Sequence, residues 1–162
     1  MSKLAGRGLA LAALGLAAFG MAACGQKESP TPAPAAPAGP PPTPTLDQLK
    51  GATVSGAFDQ AVTLANGRYD GPPAAPGAAS HPTLMLWEPA VVFGDMDGTP
   101  GNEAVAVLSS SGGGSGEFVH IAVFGVRDGQ LVNLGTAEVG DRVKLRTLWL
   151  EKGRAIMDVV EA

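Results

Sequence analysis

The sequence predicts a mainly β protein, an antiparallel β-meander that forms a curled sheet or partial barrel. Three observations predict it. From Thr45 onward no amphipathic helical period of useful length occurs, while short Val- and Leu-rich apolar runs recur. Two-residue turn signals such as Asn66-Gly67 and Asp128-Gly129 separate these runs. Ahead of them, residues 29–44 form an uncharged Pro/Ala/Thr tract that favours extended backbone over packed structure.

Each element follows in order. Residues 45–50 suit one helical turn, with Thr45 as N-cap and Gly51 as the stop. Residues 62–64 and 68–70 flank Asn66-Gly67 and read as a short hairpin. Residues 71–82 are a Gly/Pro/Ala-rich loop. Residues 83–93 are mostly apolar, with Pro89 marking an edge or a bend. Residues 103–108 and 118–126 are the most strand-like runs. The second is apolar on both faces, as in a central strand covered on both sides. Asp128-Gly129, Gly140-Asp141 and Lys152-Gly153 then punctuate segments 130–139, 143–150 and 154–160. In 143–150, strict alternation places Val143, Leu145 and Trp149 on one face and Lys144 and Arg146 on the other.

The chain divides into a leader (1–23), a segment headed by Cys24 (24–44) and one β-rich domain (45–162). Lys3 and Arg7 precede an Ala/Leu-rich run over 9–19, and Met21-Ala22-Ala23-Cys24 follows. A basic start, a short apolar run and small residues before a cleavage point make a signal peptide. At about eleven residues the run is short of the roughly twenty that span a bilayer. An uncleaved membrane helix with an incidental cysteine is the competing reading, and that length opposes it. The segment resembles the lipobox of bacterial lipoproteins, with Met21 where Leu is usual. That resemblance implies a thioether-linked diacylglycerol on Cys24, cleavage before it by signal peptidase II, and acylation of the freed amine, typically as palmitate. Two or more acyl chains give a stable membrane anchor. Gly25, in place of Asp, favours the outer membrane facing the periplasm in a Gram-negative host.

Cys24 is the single cysteine, so lipidation leaves no thiol for a disulfide, a metal or a nucleophile. The Pro-rich tract is expected to be a disordered, semi-rigid spacer, able to hold the domain up to roughly 50 Å from the bilayer. The domain, about 118 residues, is large enough to bury one core. Loss of Lys3 and Arg7 leaves nine Lys/Arg against fifteen Asp/Glu, an acidic balance that argues against a nucleic-acid partner.

The sharpest local motif is the run from Phe93 to Val105, which contains Asp95-Met96-Asp97-Gly98 and Glu103. It resembles the D-x-[DN]-G segment of FG-GAP-type repeats, whose oxygen ligands wrap calcium. That resemblance implies Asp95, Asp97 and Glu103 as calcium candidates. Thr99 and Pro100 depart from the ligand and turn positions, so the expectation is no metal and a simple Asp/Gly turn. With Ser111-Gly112-Gly113-Gly114-Ser115-Gly116-Glu117-Phe118-Val119 and Gly140-Asp141-Arg142-Val143, the domain is similar to a group of uncharacterised bacterial envelope proteins. Members of that group continue past the last strand here, which implies that the chain is short or truncated at Ala162.

Other chemistry is thinner. The Ser109–Gly116 run lacks the Gly-Lys-Ser/Thr ending of a phosphate loop, and Glu117 stands where a nucleophile elbow needs glycine. It reads as a mobile hairpin loop. His81 lies in a loop, and His120 lies on a strand beside Phe118, Ala122 and Phe124. Neither belongs to a metal-ligand cluster. Trp87 and Trp149 read as core or rim aromatics. The expected function is a membrane-anchored, non-catalytic structural or binding domain for an envelope protein or polymer. The alternative is an envelope hydrolase or accessory enzyme with its site near the Ser109–Gly116 loop, which would need His120 and a carboxylate to converge on Ser115.

Overall fold

The computed structural model describes residues 42–73 and 75–160. The leader, Cys24 and nearly all of the Pro-rich tract lie outside the described residues. Within the described residues 56% lie in strands and 4% in helix. Every sheet pairing is antiparallel. The described residues all fall in one compact unit.

A single helical turn, α1 (Leu46–Lys50), opens the unit. Thr45 accepts a bond from the Gln48 amide and the Gln48 side chain reaches back to the Thr45 amide, a complete capping box. Strands β1 (Thr53–Val54) and β2 (Val62–Thr63) make a small two-stranded sheet. Strands β3 (Arg68–Asp70), β4 (Thr83–Gly94), β5 (Glu103–Ser111), β6 (Phe118–Arg127) and β7 (Gln130–Asp141) form a five-stranded meander in that spatial order, which curls into a half-barrel. Strands β8 (Lys144–Glu151) and β9 (Arg154–Val160) are a separate hairpin.

The two faces of the meander have different covers. On one face Leu84, Leu86, Ala104, Ala106, Leu108, Ala122 and Phe124 pack against Leu49, Ala52, Val54 and Leu64 of the N-terminal segment. On the other, Ala90, Val107 and Val119 pack against Val143, Leu145, Leu148 and Met157 around the β8–β9 hairpin. This explains why β5 is buried along nearly its whole length. The alternation that leaves one face wet in an ordinary antiparallel sheet is absent because both faces are roofed. The run 118–126, expected as a central strand, is β6, paired on both edges by β5 and β7, and β5 lies at the middle of the five.

Several local expectations change. Asn66 and Gly67 have φ of 52° and 80°, the positive pair that a tight two-residue turn requires. The turn is closed by the Ala65–Arg68 bridge, but its arms do not form a hairpin ladder: β2 pairs with β1 and β3 with β4. Pro89 lies in the bulge between Leu86 and Val91, where no ladder N–H is needed. Gly140-Asp141 is not the turn after β7. The strand runs through Asp141, and the chain reverses one residue later at Arg142, φ 52°. In β8, a bulge between Leu145 and Thr147 resets the alternation. Leu145 and Leu148 therefore pack on the meander, and Trp149 turns outward, 42% exposed, off the face expected for it.

Candidate functional site

The β4–β5 loop brings the three predicted carboxylates together. Ligand atoms of Asp95, Asp97 and Glu103 all lie within 4.8 Å of one another. Asp95 Oδ1 accepts from the amides of Asp97 and Gly98, at 3.2 and 2.6 Å. Asp97 Oδ1 accepts from the Thr99 amide and hydroxyl, at 2.9 and 2.6 Å. Glu103, almost fully buried, accepts the Met96 amide at 2.9 Å. Backbone donors thus engage one oxygen of each of the three carboxylates. A positive charge is supplied from β6. The Arg127 guanidinium sits 2.9 Å from Asp97 and 3.7 Å from Glu103. The Thr99 hydroxyl and amide, helped by Arg127, hold the Asp97 carboxyl below its usual pKa.

His120 converges on Ser110 and not on Ser115. Ser110 Oγ and His120 Nε2 are 2.8 Å apart and both residues are buried. The other imidazole nitrogen, Nδ1, has no hydrogen-bond partner. A Ser-His pair used in nucleophilic catalysis has a third group that orients the histidine. Among the described residues no such group reaches Nδ1. Ser115 lines a small hollow of about 240 Å³ beneath the β5–β6 loop. In that loop Gly113, φ 91°, passes so close to the His81 backbone that a Cβ would lie 3.2 Å from it. His81 itself is at the surface, 3.2 Å from Asp70.

The buried imidazole has a measurable consequence. Burial pushes the His120 pKa down, and Glu138 pulls it part of the way back. In the unfolded chain a histidine protonates near pH 6.5. Below that pH the unfolded state binds more protons than the folded one, so stability must fall as pH falls. His120→Gln is expected to flatten this slope between about pH 7 and 5 in urea-unfolding midpoints. A slope unchanged in the variant would refute the assignment. A separate loss at more acid pH should persist. Asp70 and Asp141 are held below the usual carboxylate pKa by bonds from Arg68 and Arg142, and Asp97 by Thr99. Their contribution is present above the ordinary carboxylate range and disappears as pH falls through it.

One concavity was not foreseen from sequence. It is a groove of about 750 Å³ between the second face of the meander and the start of β8. Met85, Trp87, Val107 and Val119 line the sheet side, and Val143 and Leu145 the other. Met85 and Trp87 are 45% and 46% exposed, so the apolar lining meets solvent. Glu117, Arg142 and Lys144 lie on the groove's exposed rim. One signal could have found this place. Arg142, Lys144, Arg146, Lys152 and Arg154 fall within thirteen residues that hold one acid, Glu151, in a chain of acidic net charge. Earlier in the domain Lys50, Arg68 and Arg127 each have a carboxylate partner. Lys144, Arg146 and Arg154 form no ion pair among the described residues.

No protein-family model matches this chain, and no curated protein or solved structure matches it either.

Proposed function

We propose that this chain is a lipid-anchored envelope protein that presents a non-catalytic binding or structural β unit on a Pro-rich spacer. The observation that carries the reading is the apolar run 9–19 ending in Met21-Ala22-Ala23-Cys24, followed at once by polar residues and the Pro-rich tract. The described β unit follows that tract, its first element being α1 at Leu46–Lys50. No helix among the described residues is long and apolar enough to cross a membrane. The side-chain clusters support a binding role over turnover. The acidic cluster is engaged by Arg127 and backbone amides, and the Ser110–His120 pair is buried and lacks an orienting acid at Nδ1.

Lipid on Cys24 would place the domain on the periplasmic face of the outer membrane in a Gram-negative cell. Its partner would be an envelope protein or polymer, and no resident cofactor is needed for such a role. Cys24→Ser is expected to leave an uncut precursor that incorporates no labelled palmitate. Metabolic labelling with a mobility-shift blot reads both effects. A variant still processed to the mature length and still labelled would overturn the anchoring.

A further inference from the structure

The groove between the meander and β8 combines an apolar interior with a basic rim, and that pairing specifies a ligand chemistry. We propose that it holds the acyl chain of a single-chain anionic amphiphile, with the carboxylate or phosphate head at Arg142 and Lys144. This goes beyond the anchoring reading and does not rest on it.

Four observations support the assignment. The groove, about 750 Å³, falls within the roughly 300–1,000 Å³ of ordinary ligand sites. Its walls are aliphatic and aromatic, from Met85 and Trp87 across Val107 and Val119 to Leu145. Trp87 lies where an aromatic ring would be covered by an entering chain. Its rim carries two cations against one carboxylate, Glu117.

The rim also belongs to the one basic stretch of an acidic domain. Arg142 bonds the neighbouring Asp141 at 2.8 Å and keeps its side chain 65% exposed, so part of the guanidinium fork is free for a second acceptor. Lys144 forms no ion pair among the described residues. An anion there gains charge-assisted bonds, whereas a cationic head of equal chain length meets repulsion. Glu117 sets a limit on head size and charge, which favours a compact monoanion over a polyanion.

The test uses the chain from Gln26 onward with Trp149→Phe, so that Trp87 is the one indole reporting. Laurate, kept below its micelle concentration, is expected to shift Trp87 emission saturably. Lys144→Glu, at an exposed position, should weaken binding about tenfold or more. Ser109→Phe, which fills the groove, should abolish it. Dodecyltrimethylammonium should bind about tenfold more weakly than laurate or not at all. Phosphatidylglycerol vesicles distinguish the two sources of such a chain. If Trp149, read alone in Trp87→Phe, responds to vesicles while Trp87 ignores monomeric laurate, the basic hairpin is a bilayer-docking surface and the groove proposal fails. Equal binding of the cationic amphiphile, or no response to laurate, also overturns it. None of these outcomes bears on whether Cys24 is lipidated.

Discussion

Phe124→Ala is expected to cost the fold about 3–5 kcal/mol, seen as a lowered midpoint of urea unfolding with the slope unchanged. Phe124 is 1% exposed on β6, in the larger of the two core clusters. Its neighbours explain the size of the loss. Ala104 stands directly across on β5, Asn133 on β7, and Ala122 lies two residues back on the same face. Ala104 and Ala122 are too short to refill the space, so a cavity remains, and its volume adds to the lost transfer free energy. The buried residues on the opposite face make a useful contrast. Val107, 2% exposed, lies in the second cluster beside Leu145, Leu148 and Met157, longer side chains that can relax toward a gap. Val107→Ala should be the milder of the two changes. Equal losses, from so much smaller a deletion, would show that the second face does not relax toward a gap.

Arg127→Met is expected to cost about 2–3 kcal/mol, because it leaves the Glu103 carboxylate buried without its counter-charge. The figure lies below that for a fully buried pair because Arg127 is itself 42% exposed. Adding Glu103→Gln to Arg127→Met should recover most of the loss, since the two positions then carry no uncompensated charge. Calcium separates the roles of the cluster. With Arg127 in place, millimolar Ca²⁺ should leave the melting temperature unchanged. In Arg127→Met the freed carboxylates, within 4.8 Å of one another, should make it rise. A rise in the unsubstituted protein would mean that the cation belongs to the native loop and that Arg127 is an accessory.

Much of the fold is legible in the sequence because it depends on short-range patterns. The N-cap at Thr45, the turns at Asp128-Gly129 and Lys152-Gly153, and the apolar runs in β5 and β6 are all local. Errors appear where a local signal is reinterpreted by distant partners. Asn66-Gly67 makes its turn, yet the flanking residues find other strands to pair with. Strict alternation sends Trp149 inward, and a single bulge near Arg146 sends it out. The candidate sites divide the same way. Asp95, Asp97 and Glu103 share one loop, so their convergence follows from spacing. Arg127 reaches them only because β5 and β6 pair in the register that sets Ala104 opposite Phe124. Ser110 and His120 meet diagonally through that same register, which pairs them with Phe118 and Leu108 and which no motif spacing encodes.

The β8–β9 hairpin carries one further consequence. The N-terminal segment is tied to the meander by main-chain bonds, as from the Leu86 amide to the Gly67 carbonyl. The hairpin has no ladder to any of the five strands beneath it and is held by side chains such as Leu148 and Met157. Its detachment breaks no sheet, so its local opening is expected to cost less than global unfolding, and hydrogen exchange should find β8 and β9 less protected than β5 and β6.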